Sequence, residues 1–198
     1  MAIDRAKVKK EAEKYVQSGK LDRALDEYRK LLDDNPRDLA LMNTIGDISV
    51  QAGRLGEALD LFKRLALAYE RDGYAPKATA ILKKAVRHAP DDMELAQRLA
   101  ELYRQTGMIK DAVAVHLQVA EYFTKKGLIK RALEEFTKVV ELDPKNLKMK
   151  VLYSTMHQLR RFRQGAGSMS PSPIGLILAY ALALHFIQQN NCARLGKT

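Results

Sequence analysis

Residues 15–38 read YVQSGKLDRALDEYRKLLDDNPRD, and this stretch returns as YERDGYAPKATAILKKAVRHAPDD at 69–92 and as FTKKGLIKRALEEFTKVVELDPKN at 123–146. Both steps are 54 residues long. Self-similarity at a fixed period is the sequence signature of a repeat protein, in which each unit buries its apolar face against its neighbours. The sequence therefore predicts a repeat array, an architecture that favours partner binding over catalysis.

Glycine, alanine and proline recur at fixed places within this period. Glycine tolerates the left-handed backbone that ends many helices, and a small alanine five residues later lets the next helix of a hairpin approach closely. Two further glycines stand 34 residues after one glycine of the period and 20 before the next. The predicted structural repeat positions are Gly19, Ala24, Pro36, Gly46, Gly53, Ala58, Gly73, Ala78, Pro90, Gly107, Ala112, Gly127, Ala132 and Pro144.

The spacing of Ile45 and Gly46, then Gly53, Ala58 and Phe62 resembles the tetratricopeptide repeat (TPR) pattern of Leu-Gly followed by Ala-x3-Phe and then Pro. The 34-residue step agrees with this family, and the resemblance covers roughly residues 5–146. It implies an all-α fold, an α-solenoid of antiparallel helix hairpins in a right-handed superhelix, similar in type to the stand-alone TPR proteins of bacteria. About nine helices and a divergent C-terminal tail are expected.

One departure from the family pattern concerns the second helix of the best-matching repeat. No proline closes the unit after Phe62, and residues 55–71 are expected to serve both as the second helix of one hairpin and as the first helix of the next. That sharing explains the 20-residue steps and gives three helices per period. After a first helix that Asp4 caps, helices are predicted at about 21–33, 38–52, 55–71, 76–88, 93–106, 110–126, 130–142 and 147–159.

The repeat pattern and the composition both change near residue 160. Residues 1–160 are predicted to form the TPR-like helical domain, and 161–198 a Gly/Ser/Pro linker with an apolar C-terminal segment. The net charge of +10 is uneven, because residues 1–146 hold 27 Lys and Arg against 24 acids, whereas 147–198 hold seven and no acid. No nucleic-acid partner is therefore expected for the array. Whether the tail is a native segment or an altered gene end stays open.

Candidate catalytic and metal-binding residues are few. The four histidines are dispersed and Cys192 is alone, so no Cys or His pair has the spacing of metal ligands, and no phosphate loop or nucleophile motif is present. The sequence predicts no catalytic residue, metal or cofactor, and hence no enzyme. His116 is expected to be a packed structural histidine, and the pair Glu134 and Glu135 a solvated helix face.

Residues 174–187, IGLILAYALALHFI, form the most hydrophobic run. A bilayer-spanning helix needs about 20 apolar residues, so this 14-residue run is short for a membrane anchor. A membrane-tethered assembly factor anchored by this segment is the alternative function, and it is not favoured. Carbonate-resistant membrane sedimentation that is lost on deleting residues 165–198 would identify it. Because no apolar signal core follows Met1, a cytoplasmic location is expected.

The function predicted from the sequence is that of a non-catalytic protein–protein interaction scaffold or adaptor. The TPR resemblance implies that a peptide or a partner helix binds in the concave groove lined by the first helices of the hairpins. The oligomeric state is left open. By register, the candidate groove residues are Lys9, Glu13, Asn43, Asp47, Gln97, Arg98 and Glu101.

Overall fold

The computed structural model describes residues 4–145, which fold into eight α-helices and contain no strand. The helices are α1 (Arg5–Gln17), α2 (Leu21–Asp34), α3 (Leu39–Gln51), α4 (Leu55–Arg71), α5 (Ala75–His88), α6 (Met93–Gln105), α7 (Ile109–Lys125) and α8 (Ile129–Leu142). The all-α prediction is confirmed, and α2 to α8 begin and end within a residue or two of the predicted bounds. The predicted ninth helix, the linker and the apolar run 174–187 lie outside the described residues.

Two kinds of connection join the helices, with three or with four residues. Three-residue turns contain the five glycines at 19, 53, 73, 107 and 127, each with a positive φ between 70° and 77°. The Gly19 amide donates to the Val16 carbonyl, and the Lys20 amide donates to the Tyr15 carbonyl. This is the Schellman arrangement, which satisfies the last carbonyls of a helix. The same pair of hydrogen bonds recurs at the other four glycines.

The four-residue connections end in aspartates that cap the following helix. The Asp38 carboxylate accepts a hydrogen bond from the Leu41 amide at 3.0 Å, and the Asp92 carboxylate accepts one from the Leu95 amide at 3.1 Å. Asp4 caps α1 in the same way through the Lys7 amide. Each cap satisfies one of the amides that the first turn of a helix leaves without an intrahelical acceptor.

The chain divides into two compact units, Met1–Leu102 and Tyr103–Thr198, with the boundary inside α6. In the first unit, α1 packs on α2, α2 on α3, and α4 on both α3 and α5. The sharing of α4 between two hairpins, which the sequence predicts for residues 55–71, is therefore confirmed. A buried cluster that includes Leu25, Tyr28 and Ile45 joins α1, α2, α3 and α4.

In the second unit, α7 and α8 form an antiparallel hairpin. The side chains of Val119 and Phe123 on α7, and of Phe136 and Val139 on α8, are buried. In both units the alanine five residues after each turn glycine is fully buried, at 0% exposure; these are Ala24, Ala58, Ala78, Ala112 and Ala132. A larger side chain there would force the paired helices apart.

Gly46 lies within α3, where it faces Phe62 of α4. A Cβ atom built on Gly46 would lie 2.5 Å from Cε1 of Phe62, closer than real carbon atoms approach each other. The Phe62 ring is fully buried, with 0% exposure. Absence of a side chain at Gly46 therefore makes room for the aromatic ring of the next helix.

None of the helices in residues 4–145 is long and apolar enough to cross a membrane. The helices have 13 to 17 residues and carry charged side chains on their exposed faces.

Ser49 on α3 provides the first testable prediction. Its side chain is 0% exposed, and within residues 4–145 its hydroxyl is the buried side-chain group that has no hydrogen-bond partner. Ser49→Ala removes a desolvated polar group without opening a large cavity, so it should raise the free energy of unfolding by about 1 kcal/mol. Urea denaturation followed by circular dichroism measures this change.

Ser18→Ala is the matched control, because Ser18 is exposed and its hydroxyl donates to the Tyr15 carbonyl. We expect its stability to stay within about 0.5 kcal/mol of the wild-type value. A Ser49→Ala variant that is less stable than the wild type would show that the hydroxyl has a partner in solution.

Candidate functional site

Three polar side chains meet on the first unit where α3 and α5 approach each other. The Lys84 ammonium on α5 donates to Oδ1 of Asp47 at 2.6 Å and to Oδ1 of Asn43 at 2.9 Å. The same ammonium lies 5.0 Å from the centre of the Phe62 ring, within range of a cation–π interaction. Two of the seven predicted groove residues, Asn43 and Asp47, are thus held together by one lysine.

Partial exposure makes this cluster open to exchange with a ligand. The side chain of Lys84 is 28% exposed and that of Asp47 is 43% exposed. An ion pair at such a site contributes at most about 1 kcal/mol to folding, because water screens it. A partner that supplies equivalent hydrogen bonds can therefore displace Lys84 from Asn43 and Asp47 at small free-energy cost.

The pairing changes the expected electrostatics of the site. From the sequence, Asp47 and Glu101 are expected to attract basic residues of a partner and to oppose an anionic one. In the structure the charge of Asp47 is offset by Lys84, which lies 2.6 Å away. Asp47 alone therefore gives no local excess of negative charge on this surface.

The other predicted groove residues lie on α1 and α6. Lys9 and Glu13 are exposed on α1, one turn apart, and Glu13 lies near Tyr28 of α2. Burial of Tyr28, and to a smaller extent the charge of Glu13, raises the pKa of the tyrosine hydroxyl above its usual 10.0.

Arg98 on α6 contacts the neighbouring α4. Its guanidinium donates to both carboxylate oxygens of Glu70 at 3.2 Å. Gln97 and Glu101, which are four residues apart on one face of α6, are half-buried. Arg98 thus has a structural partner in the same unit, as Asn43 and Asp47 have in Lys84.

Lys84 is not among the groove residues predicted from the sequence, although the repeat contains a pattern that points to it. A lysine recurs at this place of the period as Lys30, Lys84 and Lys138. Lys30 pairs with Glu27 and Lys138 with Glu135, each three residues earlier on the same helix. Three residues before Lys84 the chain has Ile81 instead of an acid. The Lys84 ammonium therefore has no such partner on its own helix and reaches across to α3.

A second polar cluster lies inside the hairpin of α7 and α8. Nδ1 of His116 is 2.6 Å from Oε2 of Glu135, and the Lys138 ammonium donates to Oε1 of the same carboxylate at 2.8 Å. His116 is 3% exposed, in agreement with a packed structural histidine. Glu135 is only 1% exposed, so the prediction of a solvated Glu134–Glu135 face is wrong for Glu135; the partners in the hairpin core keep its carboxylate buried.

Within residues 4–145 no group of three His, Cys, Asp or Glu side chains could hold a metal ion. Cys192 is outside the described residues. The polar cluster of Asn43, Asp47 and Lys84 contains two oxygen acceptors and one cation, a set suited to hydrogen bonding with a polypeptide.

Comparisons with known proteins agree on the repeat type. Tetratricopeptide repeat family models match residues 9–76, 59–102 and 113–146. Among solved structures, the chain is similar to a thermophilic TPR protein of Thermus thermophilus, with 22% identity over 78% of this chain and 99% of that one, and a TM-score of 0.30. No curated protein matches the chain.

Two further solved structures have similar coverage. MamA protein is 16% identical over 85% of this chain and 98% of its own, with a TM-score of 0.42. YrrB, described as a TPR protein with an unusual peptide-binding site, is 19% identical over 73% of this chain and 89% of its own, with a TM-score of 0.31. At these identities the likeness concerns the fold alone.

Proposed function

Because this chain belongs to the tetratricopeptide repeat superfamily, whose members generally serve as non-catalytic interaction modules, we propose that it is a protein–protein interaction scaffold that binds a peptide or a partner helix. The binding surface is the groove that includes Asn43, Asp47, Gln97 and Glu101. A cytoplasmic location, and a repeat domain that extends to residue 160, are parts of the same proposal.

The observation that carries the proposal is the half-exposed cluster of Asn43, Asp47 and Lys84. Since its ion pair contributes little to stability, the fold does not depend on these three polar residues being there. Asn43 uses its carbonyl oxygen to accept from Lys84, which leaves its amide N–H groups to donate to a ligand. A backbone carbonyl of an extended peptide is the natural acceptor for them.

Such binding is built from several modest contacts. A hydrogen bond between uncharged groups contributes about 0.5–1.5 kcal/mol, so a useful affinity requires several side chains to act together. Lys84 adds a movable cation that can turn from Asp47 to an acidic side chain or a carbonyl of the partner. Asp47, released in that way, can accept from a backbone amide.

The test begins with a partner captured on the full chain and identified by mass spectrometry. Changing Asn43, Asp47, Gln97 and Glu101 together to alanine should weaken its binding at least about tenfold, which corresponds to about 1.4 kcal/mol. Isothermal titration calorimetry gives the affinity, and far-ultraviolet circular dichroism checks that helicity is unchanged.

A matched control removes two acids and two amides from exposed positions elsewhere: Asp33, Gln51, Glu94 and Gln118, each changed to alanine. We expect this control to bind the partner with the wild-type affinity. Unchanged affinity of the groove variant would exclude these residues as the binding surface and direct attention to another face of the helices.

A further inference from the structure

The exposed side of α5 carries cations and no acid. Its fully exposed residues are Pro76, Lys77, Ala80, Lys83, Arg87 and His88. Together with the half-buried Lys84, which lies among them on the helix surface, Lys77, Lys83, Arg87 and His88 make up what we call the α5 basic face. The remaining residues of α5 are buried or half-buried.

The equivalent helix one period earlier, α2, shows that this charge is not a property of the repeat. All three cations of α2 are retained in α5, where Arg23, Arg29 and Lys30 become Lys77, Lys83 and Lys84. None of the five acids is retained: Asp22, Asp26, Glu27, Asp33 and Asp34 become Pro76, Ala80, Ile81, Arg87 and His88. The differences between the two helices remove every acid and keep every cation. As a result α2 has a net negative charge, whereas α5 is strongly basic.

Loss of the acids leaves the cations without their local partners. In α2, Arg29 pairs with Asp26 and with Glu57 of α4, and Lys30 pairs with Glu27. In α5, Lys83 and Arg87 form no ion pair with any residue in 4–145. Lys84 turns to α3, and Lys77 lies 4.6 Å from the centre of the Tyr74 ring, a side chain that is 53% exposed.

Folding does not account for this arrangement. Lys83 and Arg87 are four residues apart, and like charges at that spacing destabilise a helix. Cations in the last turn do interact favourably with the helix dipole, which applies to Arg87 and His88. However, α2 has Asp33 and Asp34 at the same two places and is equally well formed, so the framework does not need the cations.

We propose that the α5 basic face docks an acidic segment of a partner protein. The inference uses the proposed function only in taking the partner to be a protein, and it is tested at Lys83 and Arg87, which are not groove residues. Charge complementarity identifies the occupant: four cations and a histidine along one side of a 14-residue helix, about 21 Å long, match a short acidic helix or strand.

A protein segment fits this face better than a nucleic acid does. The phosphates of a nucleic acid continue beyond any 20 Å stretch, and acids follow the basic face in the chain at its C-terminal end. Asp91 and Glu94 are exposed immediately after α5, at the start of α6. Polyanions that extend past the helix would meet these carboxylates, whereas an acidic peptide of matching length ends within the face.

The probe is a fluorescently labelled peptide of about 14 residues in which pairs of Glu alternate with pairs of Ala. Its binding to the full chain is measured by fluorescence anisotropy. A peptide with Gln in place of Glu is the neutral probe. The wild-type chain should bind the acidic peptide at least about tenfold more tightly than the neutral one, and raising the salt concentration should weaken that binding. The variant Lys83→Glu with Arg87→Asp should lose at least about tenfold in affinity for the acidic peptide.

A control variant, Lys7→Glu with Lys14→Glu, changes the net charge by the same amount on exposed positions of α1. It should retain wild-type affinity within about twofold. Equal binding by both variants, as would occur if the basic tail at 147–198 captured the peptide, overturns the proposal. So does a preference for oligothymidylate or for vesicles with anionic lipid over the acidic peptide.

The two proposals can fail separately. If the fourfold groove variant loses the captured partner while Lys83→Glu with Arg87→Asp keeps it, the scaffold function stands and the role of the basic face is wrong. If neither variant changes that partner's affinity but the acidic peptide responds to the α5 variant alone, the groove is wrong and the basic face stands.

Discussion

Replacing Gly46 with alanine is expected to lower the free energy of unfolding by about 2 kcal/mol, although alanine is the better helix former. The new Cβ would lie 2.5 Å from Cε1 and 3.1 Å from Cδ1 of Phe62. The ring is fully buried, with 0% exposure, so either the ring must shift or α3 and α4 must separate. A gain in helix propensity of about 1 kcal/mol opposes this strain but is too small to cancel it. Urea denaturation followed by circular dichroism measures the difference.

The chain supplies a matched control for Gly46 in Gly56, another glycine within a helix. A Cβ on Gly56 would meet nothing within 4 Å, so Gly56→Ala should be neutral or stabilise by about 0.5 kcal/mol. Combining Gly46→Ala with Phe62→Leu should recover part of the lost stability, because the shorter side chain leaves room for the methyl group. If Gly46→Ala proves as stable as the wild type, close approach to Phe62 is not the reason for glycine at this position.

Much of the fold could be predicted from the sequence because local signals repeat and agree. The turn glycines and the capping aspartates specify the helix boundaries locally. The alanine five residues after each glycine marks where the paired helices pack closely. Even the sharing of α4 could be predicted, because the missing proline after Phe62 and the 20-residue step both indicate it. These features depend on the nearest few residues, which is the range over which sequence patterns are informative.

The candidate site could be predicted only in part, because its contacts join helices that are distant in sequence. Asn43 and Asp47 could be predicted because the register of the repeat places them on one face of one helix. Their shared partner Lys84 is about 40 residues away, and its direction depends on the absence of an acid at Ile81. Glu135 shows the same difficulty, since a polar residue at a surface-like position can turn inward when a histidine on the facing helix receives it.

Substituting either His116 or Glu135 alone should lower the free energy of unfolding by about 3 kcal/mol, because it takes one partner away from a buried polar pair. His116→Leu leaves the carboxylate of Glu135 at 1% exposure without the imidazole that lies 2.6 Å from it. Glu135→Ile removes the acceptor of both His116 and Lys138. Thermal and urea unfolding of the two single variants measure these effects.

The double variant, His116→Leu with Glu135→Ile, should return to within about 1 kcal/mol of the wild-type stability, because apolar side chains of similar volume replace the whole pair. The repeat itself supports this expectation, since the residues 54 positions earlier are Phe62 and Ile81, which are 0% and 9% exposed. A double-mutant cycle then gives a coupling free energy of several kcal/mol between the two side chains. Losses that simply add would instead show that each side chain is held by other partners and that the His116–Glu135 contact contributes little.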